Sequence, residues 1–107
     1  RLLERLRAHP LYAEIDAAER YHEIPYYLPC DSGIIDLLYH TEAGWFLVDF
    51  KTDELRSEDE ARIVVQREGY DRQVARYAEA AASWLGVRAK MRLVFLNVKN
   101  NLLIFDL

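Results

Sequence analysis

The 107-residue sequence contains a single cysteine, Cys30. No internal disulfide can brace it, and no thiolate set is available for an iron–sulfur cluster, so no cluster is expected. A lone thiol is usually a small buried or surface residue. Glycine and proline are scarce, at four and three residues, which excludes collagen-like and low-complexity chains. No apolar run approaches the roughly 20 residues that span a bilayer, and the N-terminus lacks the apolar core of a signal peptide. No membrane association is expected, and the cytoplasm is the expected compartment. Positive charge is not in surplus either, since 14 Lys and Arg against 18 Asp and Glu give a formal net charge of −4. That balance argues against a passive nucleic-acid coat protein, whose affinity comes from neutralising phosphates. It leaves enzymes open, because acidic residues gathered around a divalent cation lower the net charge yet create a site attractive to phosphate once metal is bound.

What is present is an ordinary globular composition, 51% hydrophobic and 30% charged. The length suits one domain over residues 1–107, with one core. The chain opens at Arg1, inside an apparent helix, which suggests a piece of a larger protein. Leu2, Leu3 and Leu6 at helical spacing, with Pro10 as a break or fresh start, predict a short helix or two across 1–17. The aromatic and β-branched segment Glu19 to Leu28 reads as a strand, and Pro29-Cys30-Asp31-Ser32 as the turn after it. Gly33 to Tyr39 (GIIDLLY) and Trp45 to Lys51 (WFLVDFK) follow as strands, separated by the polar turn His40 to Gly44. Both are apolar on two faces, as at the centre of a sheet covered on both sides. A polar connection over 52–61 leads to a long helix from about Arg62 to Leu85, ended near Gly86, with Val74, Ala78, Ala81 and Leu85 as its core stripe. MRLVFLNV and NLLIFDL close the chain as strands around Lys99-Asn100-Asn101, a run suited to a tight hairpin. The expected order is α-β-β-β-α-β-β, an α/β fold with a mixed central β-sheet flanked by helices.

Asp36 and Asp49 stand out, because an ionised carboxylate among apolar strand residues costs far more than a marginally stable domain absorbs unless something compensates it. Strand alternation puts Asp49 and Lys51 on one face, about 6.5–7 Å apart along the chain. Asp36, on the neighbouring strand, can approach the same pocket. Two carboxylates and a lysine at a sheet end form a hard-oxygen site suited to Mg²⁺ or Mn²⁺, with open positions for water and a phosphate. Metal-assisted phosphodiester cleavage needs these parts.

GIIDLLY, a short turn and then GWFLVDFKTD resembles the active-site hairpin of the PD-(D/E)xK nuclease superfamily in its RecB-like branch. EGYDRQVARYAEA resembles the Y-x-x-Q-x-x-x-Y helix that follows this hairpin in the nuclease domains of RecB, AddA and related UvrD-type helicases, matched here by Tyr70, Gln73 and Tyr77. The resemblance covers roughly Glu19 to Ala80, and the combined pattern is far more specific than any part. It implies a restriction-endonuclease-like fold and metal-dependent hydrolysis of DNA phosphodiesters. Asp36 and Asp49 would be metal ligands for Mg²⁺ or Mn²⁺, Lys51 the catalytic lysine, and Gln73 and Tyr77 site-lining residues. Glu23, in HEIPY, matches a glutamate that often precedes the hairpin and is a further candidate ligand. The implied partners are DNA and the helicase domains of the same parent polypeptide. Related nucleases carry a histidine or acidic ligand on a helix well upstream, and His9, just before Pro10, lies outside any matching motif.

A lone Asp-x-Lys is commonly a surface ion pair. The alternative function is therefore a noncatalytic nuclease-fold module for DNA handling or protein interaction within a helicase, against which the intact Asp36, Asp49 and Lys51 set speaks. Gln66, Tyr70, Gln73 and Tyr77, spaced by four, three and four, are expected on one helical stripe. Arg62, Arg67, Arg72 and Arg76 read as a solvated helix face, His22 and His40 as surface residues, and Trp45 and Trp84 as core.

Overall fold

Segments rich in β-branched and aromatic residues pair into one five-stranded sheet in the computed structural model, which describes residues 2–29 and 31–107. Cys30, and the side chains of Leu2 and Leu3 whose spacing suggests a helix, lie outside the described residues. Two short helices, α1 (Leu2–Arg7) and α2 (Pro10–Ala17), precede three strands, β1 (Glu19–Leu28), β2 (Asp31–Thr41) and β3 (Gly44–Lys51). Helices α3 (Glu58–Glu68) and α4 (Tyr70–Leu85) then lead to β4 (Lys90–Val98) and β5 (Asn101–Asp106). The spatial order follows the chain, β1-β2-β3-β4-β5. Every neighbouring pair is antiparallel except β3 and β4, which run parallel because α3 and α4 carry the chain back across the sheet. This is the expected mixed α/β architecture, compatible with a restriction-endonuclease-like fold.

Helices cover both faces. On one, α2 contributes Leu11 and Ile15 to a core with Leu37, Tyr39, Phe46, Val48 and Val94. On the other, Val64 of α3 and Val74, Tyr77, Ala78 and Ala81 of α4 pack on Ile35, Leu38, Leu47, Leu93 and Phe95. Double coverage explains why β2 and β3 are apolar at successive positions rather than alternating.

Four local readings differ from the sequence expectation. The single long helix is two, broken at Gly69, whose φ of 70° is left-handed and whose N–H bonds back to Val65 O. It begins earlier than Arg62, because Ser57 caps α3 by accepting from Glu60 N at 3.1 Å. The Ser-x-x-Glu spacing of 57–60 is the capping signal that marks this start. The break at Gly69 also takes Gln66 off the Tyr70–Gln73–Tyr77 stripe and leaves it exposed on α3. Finally, Trp84 is not a core residue but 47% exposed, whereas Trp45 is partly buried against the α3–α4 core.

The hairpin β1–β2 has an irregularity that matters for the site. Ile35 and Leu37 are two residues apart, a spacing that puts side chains on one face of a regular strand, yet they lie in opposite cores. The faces switch at Asp36 and at Glu23, its opposite number between the pairs His22↔Leu37 and Ile24↔Ile35. Glu23 carries the distortion as a φ of +50°, a conformation unfavourable for a residue with a Cβ. Beyond the switch, Ile24, Tyr26 and Leu28 turn towards α4, leaving Tyr27 and Ile34 exposed.

Candidate active site

The site opens where β2 and β3 part. Their pairing ends at Leu37↔Val48, while β3 stays paired with β4 as far as Lys51↔Phe95. The edge of β3 freed by this divergence still needs an acceptor for its N–H groups. Asp36 supplies one, its Oδ2 accepting from Phe50 N at 2.9 Å. Asp36 is therefore only half-buried and tied to the main chain, not buried outright as its apolar neighbours suggest.

Asp49 is buried, with 3% of its surface exposed. Its Oδ2 has no hydrogen-bond partner among the described residues. Lys51 Nζ forms an ion pair with that oxygen at 3.1 Å. Burial, and then the neighbouring Asp36 carboxyl, push the Asp49 pKa up to about 6, with the Lys51 ammonium pulling the other way. The desolvation of this carboxylate is only partly offset by one lysine.

Lys51 lies beside Asp49 because residues two apart on β3 share a face. Its Nζ donates to Gln73 Oε1 at 2.8 Å and lies 3.9 Å from the centre of the Tyr70 ring. Tyr70, Gln73 and Tyr77 project together from α4, as spacings of three and four dictate. Tyr77 is buried, edge-on to Tyr26 at 5.4 Å. Its phenol is pushed up to about 12 by burial, then by the charges of Asp49, Tyr26 and Asp36. The hairpin arm is held over α4 by Asp31, whose Oδ2 accepts from Tyr26 Oη at 2.8 Å and Arg76 Nε at 3.0 Å. Gly33 makes room for this ring: a Cβ there would lie 2.9 Å from Tyr26 Cε2.

The structure thus brings Asp36, Asp49, Lys51, Gln73 and Tyr77 into one side-chain cluster. Glu23 stands in register with Asp36 but is exposed, and among the described residues no three His, Cys, Asp or Glu side chains gather as a metal cage. His9 caps α2, its Nδ1 accepting from Leu11 N at 3.0 Å. His22 and His40 are exposed, and Arg62 and Arg67 pair with Glu58 and Glu68 as a solvated face would. The sequence pattern does not single out Asp53, two residues after Lys51; its carboxylate faces the Tyr70 hydroxyl at 3.2 and 3.4 Å.

No family model matches the chain. It is 29% identical over 104 residues to an ATP-dependent helicase/nuclease subunit of Bacillus licheniformis, an alignment that takes in 94% of this chain and 8% of that protein. The ATP-dependent helicase/nuclease subunit of Clostridium kluyveri is 29% identical over 99 residues, 88% of this chain and 8% of the relative. That of Heliobacterium modesticaldum is 41% identical over 66 residues, 60% of this chain and 5% of the relative. The chain is therefore related to a short segment of these helicase/nuclease proteins, and it spans less than a tenth of their length. Among the described residues no helix is long and apolar enough to cross a membrane.

Proposed function

We propose that the chain is a PD-(D/E)xK-type nuclease segment of a DNA-repair helicase-nuclease, hydrolysing DNA phosphodiesters with Mg²⁺ or Mn²⁺ held by Asp36 and Asp49. The observation that carries this reading is buried Asp49 beside the Asp36 carboxyl, with the single ammonium of Lys51 as the only positive charge paired with it among the described residues. Two carboxylates fit a hard cation that keeps several waters and uses few protein ligands, as Mg²⁺ does. Glu23, at the position opposite Asp36 on β1, would be the further candidate ligand. Such a cation supplies Lewis-acid polarisation of the phosphate and a lowered pKa for water.

The chain's own residues supply the rest. Asp36 and Asp49 orient by their fixed carboxylates, one tied to Phe50 N and one buried against the sheet. Lys51 places a positive charge at the pocket for the phosphate oxygens, where low solvent access strengthens it. Gln73 holds that ammonium, and Tyr77 walls the pocket from the α4 side. The relatives' designation as helicase/nuclease supports nucleic acid as substrate and helicase domains of one parent polypeptide as partners.

A second reading, a noncatalytic nuclease-fold module, has one observation in its favour: a structural ion pair would also set Lys51 3.1 Å from Asp49. Calorimetric titration with Mn²⁺ separates the two. One saturable site should appear in the parent and disappear in Asp36→Asn and in Asp49→Asn. Undiminished binding by both variants would place the ion elsewhere and defeat the nuclease reading.

A further inference from the structure

We infer that Asp53 is a positioning residue for Lys51, acting through the ring of Tyr70. Its consequence for cleavage rests on the nuclease reading above; its geometry does not. A lysine ammonium is a point charge on a four-carbon stem with many accessible rotamers, so a functional lysine must be held. Lys51 is held on three sides, by Gln73 Oε1 at 2.8 Å, by Asp49 Oδ2 at 3.1 Å and by the Tyr70 ring at 3.9 Å.

The ring contact is the one that depends on orientation, because only the face of an aromatic ring attracts a cation. Tyr70 is the first residue of α4 and follows left-handed Gly69, which offers no side-chain cap. The first turn of a helix orients a side chain less firmly than its interior does. One side of the ring leans on Phe95, 6.2 Å between centroids at 44°. Its far end is fixed by the hydroxyl, which donates to the Asp53 carboxylate at 3.2 and 3.4 Å. Among the described residues Asp53 makes no ion pair, so its carboxylate is committed to the phenol. Asp53 lies two residues beyond Lys51, where β3 ends, so the segment leaving the strand carries it back to the start of α4. Strand, carboxylate, phenol and ring thus close a loop around the ammonium.

The experiment uses the three lysines, Lys51, Lys90 and Lys99. In protein labelled with ¹³C-lysine, the ε-methylene signal of Lys51 is the one lost in Lys51→Arg, and the ring current of Tyr70 should shift it upfield. Asp53→Ala and Tyr70→Phe break the same hydrogen bond. Each should move the signal towards the free-lysine position by the same amount, and the double variant no further. Asp53→Asn, whose amide oxygen still accepts from the phenol, should restore it. In cleavage assays Asp53→Ala should lower kcat about tenfold, within the range that small misplacement of a catalytic group produces, with KM and Mn²⁺ affinity unchanged. An unmoved Lys51 signal in Asp53→Ala overturns the inference, and so does weakened Mn²⁺ binding, which would make Asp53 a ligand. If the parent protein does not cleave DNA, the nuclease reading fails, and the methylene signal alone decides whether Asp53 holds Lys51.

Discussion

Replacing Asp49 by asparagine, a near-isostere of the protonated acid, should stabilise the metal-free protein at pH 8. The folded chain raises the Asp49 pKa from 3.8 to about 6, chiefly by burial and secondarily by Asp36. Because the folded value is raised, the folded state holds the proton more tightly than the unfolded state does. Its contribution to stability is full below about 3.8 and is lost as pH climbs through about 6. At roughly 1.4 kcal/mol per pKa unit, ionised Asp49 costs the empty fold about 2–3 kcal/mol at pH 8. The substitution does not strand Lys51, which keeps Gln73 and the Tyr70 ring. In chelator at pH 8 the variant should melt higher than the parent, by on the order of 10 °C for a chain of this size. The gap should close near pH 4, where the parent carboxyl is protonated. Mn²⁺ at about a hundred times its Kd adds about 2.7 kcal/mol, and to the parent alone, so the order at pH 8 narrows or reverses. Scanning calorimetry of both proteins at the two pH values, with and without Mn²⁺, reads all of this. A variant less stable than the parent at pH 8, by the roughly 3–5 kcal/mol that breaking a buried ion pair costs, with Mn²⁺ shifting both equally, would refute the reasoning and leave Asp49–Lys51 as a structural pair.

On the proposed nuclease reading, Lys51→Ala should lower any DNA cleavage by the parent protein about 10²–10³-fold, the loss typical of one preorganised charge donor, and leave any unwinding activity intact; undiminished cutting removes Lys51 from the mechanism. Glu23→Gly relieves the +50° φ, which at about 1–2 kcal/mol roughly balances the entropy glycine adds to the unfolded chain. Its urea midpoint should stay close to the parent's while Mn²⁺ affinity falls several-fold, and unchanged affinity would exclude Glu23 as a ligand. Gly33→Ala puts a Cβ 2.9 Å from Tyr26 Cε2 and should cost about 1–3 kcal/mol in chemical denaturation, as overpacking does; a neutral result would mean that Tyr26 is not held against Tyr77.

Much of the architecture follows from local pattern. Apolar runs at 33–39 and 45–51 announce doubly covered strands, and spacings of three and four put Tyr70, Gln73 and Tyr77 on one side of a helix, because the periods of strand and helix act over a few residues. The candidate pocket is legible for the same reason: Asp49-x-Lys51 is a same-face pair on any strand. The break at Gly69 is harder to see, since an isolated glycine in a helical pattern is often tolerated. Other features belong to the tertiary structure alone. The switch of faces at Glu23 and Asp36 has no local period to betray it. The half-exposed state of Asp36 depends on β2 leaving β3 after Leu37↔Val48, which frees Phe50 N 14 residues away to take its carboxylate. Lys51 meets Gln73 across 22 residues, and Tyr70 meets Asp53 across 17, because the α3–α4 crossover lays the start of α4 over the end of β3. The sequence by itself determined which side chains share an element's face; which faces meet, and which of the two carboxylates is buried, was decided by packing between elements distant in the chain, where no short-range period applies.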